Sequence, residues 1–215
     1  MYVSDKSAGT LQVKLQAVLD KLSAWFHSWA VAVNHSKSAV MVLTTRRRMP
    51  SVNVNLDGIP LSQVSSHKHL ELMINSHLSW SDHSAYILGK ISKKIGLLRR
   101  LRCRLPRLVL SSLYLSCVRP TLDYATCAWG PGVGAHDALR LECSQRAAAR
   151  VITGSSLKDK LPAYLLLARA GLEPLSLRRK VDLCYTISRL FHPAPKGPPH
   201  FVDAFQRWIR AVPSS

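Results

Sequence analysis

L-S-W-S-D-H-S-A-Y-I-L-G-K-I-S-K-K-I-G-L-L-R-R-L-R-C-R-L-P-R, residues 78–107, is where this 215-residue chain changes character. From Ser81 onward Leu88, Ile91, Ile95, Leu98 and Leu101 recur at helical spacing with basic side chains around the rest of the wheel, so the stretch reads as an amphipathic helix. Ser81 and Asp82 are its N-cap candidates. Before it, the periods are mostly short. Ser38 to Thr45 is an apolar, β-branched run, Val52, Val54 and Leu56 alternate ahead of an Asp57-Gly58 turn, and Leu70 to Asn75 supplies a further strand, together making a small antiparallel sheet. One long helix precedes the sheet: Leu11, Leu15, Val18, Leu22, Trp25, Phe26 and Trp29 predict an amphipathic helix over Leu11 to Val31, with Asn34 ending it.

Downstream of residue 107 the helical pattern continues. Pro106 suits the first residue of a helix running toward Arg119, and Pro120 marks its end or a bend. Trp129 to Gly134 is a turn-rich break. Ala135 to Thr153 is a helix stopped by Gly154, another approaches Gly171, and Leu175 to Phe191 forms the next. The expected fold class is therefore α+β: a small antiparallel sheet with a long helix over residues 1–76, then a mainly α-helical bundle over 77–191. Residues 192–215 read as a Pro-rich linker and a short amphipathic tail marked by Phe201, Phe205, Trp208 and Val212.

With 47% hydrophobic residues the chain has the composition of a globular protein. The longest run free of Asp, Glu, Lys and Arg, between Lys21 and Lys37, falls below the roughly 18 residues of a membrane span, and Asp5, Lys6 and Lys14 interrupt any secretory core. The expectation is an intracellular protein, with nuclear residence left open. Cysteines at 103, 117, 127, 143 and 184 are odd in number, widely spaced and without a C-x-x-C, so they suggest buried thiols rather than disulfides or a zinc site. Charge is the dominant physical signal. Against 12 Asp and Glu stand 30 Lys and Arg, a formal net of +18 that attracts polyanions. The excess is uneven: residues 1–80 hold 8 basic and 4 acidic side chains, residues 81–215 hold 22 and 8. Lys90, Lys93, Lys94, Arg99, Arg100, Arg102, Arg104 and Arg107 follow one another with no acid between them, enough for several phosphate contacts, and Arg119, Arg146 and Arg150 add support.

An ordered series of motifs resembles the back half of a reverse transcriptase from the non-long-terminal-repeat, jockey-like retrotransposons. The series is W-F-H-S-W (Trp25 to Trp29), N-H-S-K-S (Asn34 to Ser38), K-H-L-E-L (Lys68 to Leu72) and L-S-W-S-D-H (Leu78 to His83). It continues through L-Y-x-S-x-V-R-P-x-L-D-Y-A (Leu113 to Ala125), Trp129, Q-R-A-A-A-R-V-I-T-G (Gln145 to Gly154) and G-L-x-P-L-x-x-R-R (Gly171 to Arg179). The resemblance implies a C-terminal palm remnant followed by a thumb that tracks a template-primer duplex through phosphate contacts. It makes Lys37 the position of the family's general-acid lysine and Lys68 part of a primer-grip strand, where His69 replaces an aromatic residue and Glu71 replaces a glycine. It also implies that the chain begins just beyond the family's Asp-Asp motif, whose carboxylates hold two magnesium ions; no adjacent acidic pair occurs in the 215 residues.

Simpler readings apply to several residues. Trp25, Trp29 and Tyr114 read as core aromatics, and Tyr124 and Trp129 as packing residues. His67 and His69 share a strand face but lack a third metal ligand at a sensible spacing, and Lys37 reads equally as a solvated turn residue. Arg46 to Arg48 is a phosphate contact, an import patch or simply a solvated loop. The expected function is a truncated, non-catalytic reverse-transcriptase fragment that binds RNA, DNA or their hybrid without sequence preference, with no metal and no membrane partner of its own. Two alternatives stand beside it: an incomplete gene model of an active RNA-directed DNA polymerase, and a decayed remnant or interaction module using Phe201 to Val212 as a groove-binding helix.

Overall fold

The computed structural model describes residues 2–46 and 48–191. The tail expected over 192–215 lies outside the described residues. The chain divides into two compact units, Met1–His83 and Ser84–Ser215.

In the first unit, α1 (Ala8–Ser28) starts earlier than its apolar pattern and stops before Val31, because Ala30 takes a left-handed φ of 52°. Asn34 does not end this helix. Its side chain instead accepts the Lys37 N–H at 3.1 Å and caps a separate 3-10 turn, His35–Lys37. Six short strands follow: β1 (Ala39–Val40), β2 (Asn55–Leu56), β3 (Ile59–Pro60), β4 (Ser62–Gln63), β5 (Ser66–His69) and β6 (Leu72–Asn75). They form three pairs rather than one antiparallel sheet. β2–β3 and β5–β6 are antiparallel, but β1–β4 is parallel, a correction to the expected topology.

Side-chain amides explain why the strands are short. Gln12 and Gln16, one turn apart on α1, accept the N–H groups of Asn53 (3.1 Å) and Asn55 (2.9 Å), and Gln16 donates back to the Asn55 carbonyl at 3.0 Å. Gln63 does the same for Val52 N–H and the Pro50 carbonyl. These amides occupy ladder positions that a neighbouring strand otherwise fills. The predicted alternation still decides burial: Val52, Val54 and Leu56 are buried with Val42 against Leu19 of α1. Asp57 and Gly58, both at positive φ, make the expected two-residue turn. A second such turn was not expected. Leu70 and Glu71, at φ 46° and 65°, close the β5–β6 hairpin, so K-H-L-E-L is a hairpin tip and not one strand.

In the second unit, α2 (Ser81–Leu101) buries Ile91, Ile95 and Leu98 as predicted, together with Ile87, and leaves Leu88 and Leu101 half-buried. α3 (Arg107–Leu113) follows Pro106 and runs into a π-helical turn, Tyr114–Val118, ahead of α4 (Arg119–Asp123). Pro120 has no N–H to offer the carbonyl one turn back, which is the kind of position where a helix widens. Ala125, left-handed at φ 51°, separates α4 from α5 (Thr126–Trp129), a helix that the expected break at Trp129 did not include. α6 (Ala135–Thr153), α7 (Ala163–Ala170) and α8 (Leu175–Phe191) match the reading, with Gly154 and Gly171 as left-handed stops. Tyr114 and Trp129 are core residues, as expected. The Tyr114 hydroxyl donates to Gln145 at 3.2 Å, Gln145 donates to the Glu173 carbonyl at 2.6 Å, and burial pushes the tyrosine pKa up. All five cysteines are exposed, contrary to the expectation of buried thiols.

Candidate nucleic-acid interface

α2 buries one face, so its bases are carried on the remaining arc. The fold divides these bases, together with Arg102 and Arg104 in the turn that follows α2 and Arg107 at the start of α3, into two groups. Lys94 is half-buried: its ammonium donates to the Cys117 carbonyl and to Thr121 Oγ1, each at 2.6 Å, satisfying an acceptor in the widened turn. Arg102 donates to the Gly154 carbonyl at 2.8 Å, at the C-terminal end of α6. Arg107 donates to the Arg169 carbonyl, at the C-terminal end of α7. Both arginines thus meet helix ends where carbonyls lack intrahelical partners and the dipole favours a cation.

The second group faces solvent. Lys93, Arg99, Arg100 and Arg104 are exposed and make no ion pair among the described residues, and the Lys90 ammonium sits 4.5 Å above the Tyr86 ring. Lys93 and Arg100 are two turns apart, roughly 10 Å along the axis. Between and beside these cations the solvent face is low: Ala85, Gly89 and Ser92 are exposed, and a methyl group on Gly89 or Gly96 would meet no atom within 4 Å. Two glycines inside an exposed helix cost about 1 kcal/mol each relative to alanine, with no packing inside the protein to explain them. Sequence reasoning missed both, although their seven-residue spacing on the polar side of the wheel was visible.

The other predicted cations are dispersed. Arg119 Nε lies 3.4 Å from Asp123, which also receives Arg178; burial raises the pKa of that aspartate, and the Arg119 charge works against the rise. Arg146 donates to Cys143 Sγ at 2.8 Å, and Arg150 is half-buried. Lys68 pairs with Glu71 at 2.6 Å across the hairpin tip of the first unit, and Lys37 is exposed at the end of its 3-10 turn. Trp25 and Trp29 depart from the expected core role, with 52% and 67% of their surface exposed and their rings 6.2 Å apart. Tyr124 is also half exposed. No helix among the described residues is long and apolar enough to cross a membrane.

Two curated proteins of Drosophila melanogaster align with most of this chain. The probable RNA-directed DNA polymerase from transposon X-element is 28% identical over 137 residues, 62% of the chain, and the corresponding protein from transposon BS is 27% identical over 143 residues, 65% of the chain. This chain carries a region related to reverse transcriptases. The aligned stretches amount to 15% and 16% of the length of those two polymerases. No family model matches the chain, and no solved structure matches it.

Proposed function

We propose that this reverse-transcriptase-related chain binds RNA, DNA or their hybrid duplex through the solvent face of α2, and that it does not polymerise by itself. The observation that carries the proposal is the row Lys93, Arg99, Arg100 and Arg104, exposed and unpaired by acid, flanking a face kept low by Gly89 and Gly96. A row of cations over a shallow surface suits the sugar-phosphate backbone, which it recognises without reading bases. The relatives' activity, as their names give it, uses RNA and DNA, which supports a nucleic-acid partner. The non-catalytic half of the proposal rests on the sequence, which contains no adjacent acidic pair.

The test is fluorescence anisotropy on a short RNA–DNA hybrid. The Arg99→Ala/Arg100→Ala variant loses roughly tenfold per removed cation at about 0.1 M salt, while Arg146→Ala leaves affinity within about twofold. Equal losses from both variants would overturn the assignment to α2. A second reading, that the chain is part of a longer polymerase, is favoured by the small share of its relatives that it spans. An in-frame transcript that adds an Asp-Asp motif upstream supports it, and a transcript beginning at Met1 overturns it.

A further inference from the structure

α8 packs by one face and leaves a continuous apolar stripe on the other. Leu175 is buried and Leu183, Thr186 and Ile187 are half-buried, whereas Leu177, Val181 and Tyr185 have 51%, 58% and 61% of their surface exposed, and Cys184 is exposed among them. Single exposed leucines are ordinary on a protein surface. Here the exposed positions follow one another at helical spacing: Leu177, Val181, Cys184 and Ser188 step by four, three and four residues. That is the period of a seam between two helices. Ser188 donates its hydroxyl to the Tyr185 carbonyl at 2.9 Å, so it brings no unpaired donor to such a seam. The Arg189 guanidinium lies 5.7 Å from the centre of the Tyr185 ring, a cation at the edge of the stripe.

The same spacing returns further along the chain. Phe201, Phe205, Trp208 and Val212 also step by four, three and four residues, with Asp203, Gln206, Arg207 and Arg210 between them and Pro213 after them. We propose that residues 201–212 fold back as a helix antiparallel to α8 and cover Leu177, Val181, Cys184 and Tyr185 of the same chain. A four-three-four spacing reads alike in both directions, so antiparallel pairing brings Phe201, Phe205, Trp208 and Val212 level with Ser188, Cys184, Val181 and Leu177. At the two central positions a large aromatic ring then meets a small side chain, the complementarity that packed helices need. Each stripe runs about 16 Å along its axis. Residues 192–200 reach about 28 Å when extended, against the roughly 8–10 Å between packed helix axes, so the connection is long enough. A tether of that length holds the segment at a roughly millimolar local concentration, which favours it over a second copy at micromolar concentration.

Labelling of the full chain with a maleimide, mapped by mass spectrometry, reads the contact at Cys184, with Cys103, Cys117, Cys127 and Cys143 as internal references. An intrinsic Kd of about 0.1 mM lets the tethered segment leave the stripe open roughly a tenth of the time. Phe205→Asp/Trp208→Asp should therefore speed Cys184 labelling by about tenfold and hold the other four rates within about twofold. Val181→Asp, at an exposed position of α8, should give the same acceleration, and it decides alone if the first variant fails to fold. Its carboxylate, three residues from the thiol, disfavours the thiolate, so faster labelling in that variant reports uncovering rather than electrostatics. Equal Cys184 rates in the wild-type chain and the variants overturn the proposal. Protection of Cys184 that deepens as protein concentration rises also overturns it, by assigning the stripe to a second copy.

Discussion

Raising monovalent salt from about 50 to 200 mM should weaken hybrid-duplex binding by a factor set by how many cations reach phosphate. Eight bases lie in residues 90–107, but Lys94, Arg102 and Arg107 donate to protein carbonyls and Lys90 lies over the Tyr86 ring, which leaves Lys93, Arg99, Arg100 and Arg104. With a slope of about −0.9 per neutralised phosphate, four contacts give a log–log slope near −3.6 and a loss of roughly 150-fold over that range. Eight contacts give a slope near −7 and a loss of roughly 20,000-fold. Anisotropy titrations at four or five salt concentrations separate the two readily. The Arg99→Ala/Arg100→Ala variant should flatten the slope by about 1.8. A wild-type slope steeper than about −6 would show that the carbonyl-bound cations leave their partners for phosphate, and the division drawn from the structure would be wrong. A slope near zero would dismiss phosphate contact altogether.

Lys94→Met keeps most of the apolar stem but leaves the Cys117 carbonyl and Thr121 hydroxyl without their donor, which should cost about 1–3 kcal/mol in chemical denaturation and leave the salt slope unchanged. Glu71→Gly relieves a left-handed φ of 65° at the cost of a half-exposed ion pair with Lys68, so it should stabilise the chain by roughly 0.5–1 kcal/mol; a lower melting temperature would contradict that account. His83 is buried, its Nδ1 accepts the Met73 N–H at 3.3 Å, and burial lowers its pKa. The unfolded chain therefore binds a proton that the folded chain resists, so stability is full above the unfolded pKa of about 6.5 and falls as pH drops below it, by at most about 1.4 kcal/mol per pH unit. Melting temperatures between pH 7.5 and 5.5 should fall less in His83→Gln than in the wild-type chain.

Local signals were legible and long-range ones were not. Gly154 and Gly171 end their helices as read, and the Asp57-Gly58 pair turns its hairpin, because left-handed glycine is a local requirement. Leu70 and Glu71 turn the chain in the same way without a turn residue to announce it. The parallel β1–β4 pairing joins segments more than twenty residues apart, and no pattern within either segment specifies it. Trp25 on α1 and Trp29 just past its end sit at core spacing, but that helix outruns the short strands that cover its earlier turns, and these aromatics remain exposed. The division among the cations was equally hidden, since Arg102 and Arg107 find their carbonyls 52 and 62 residues away.

The carbonyl-bound bases also give the surface a history that can be dated. Selection for folding alone holds Lys94, Arg102 and Arg107 in place, while Arg99, Arg100 and Arg104 are kept only if something is bound. Sibling copies of this reading frame would then drift at two speeds once binding ceased, the outer bases eroding first and the helix-end bases persisting until the fold itself was abandoned.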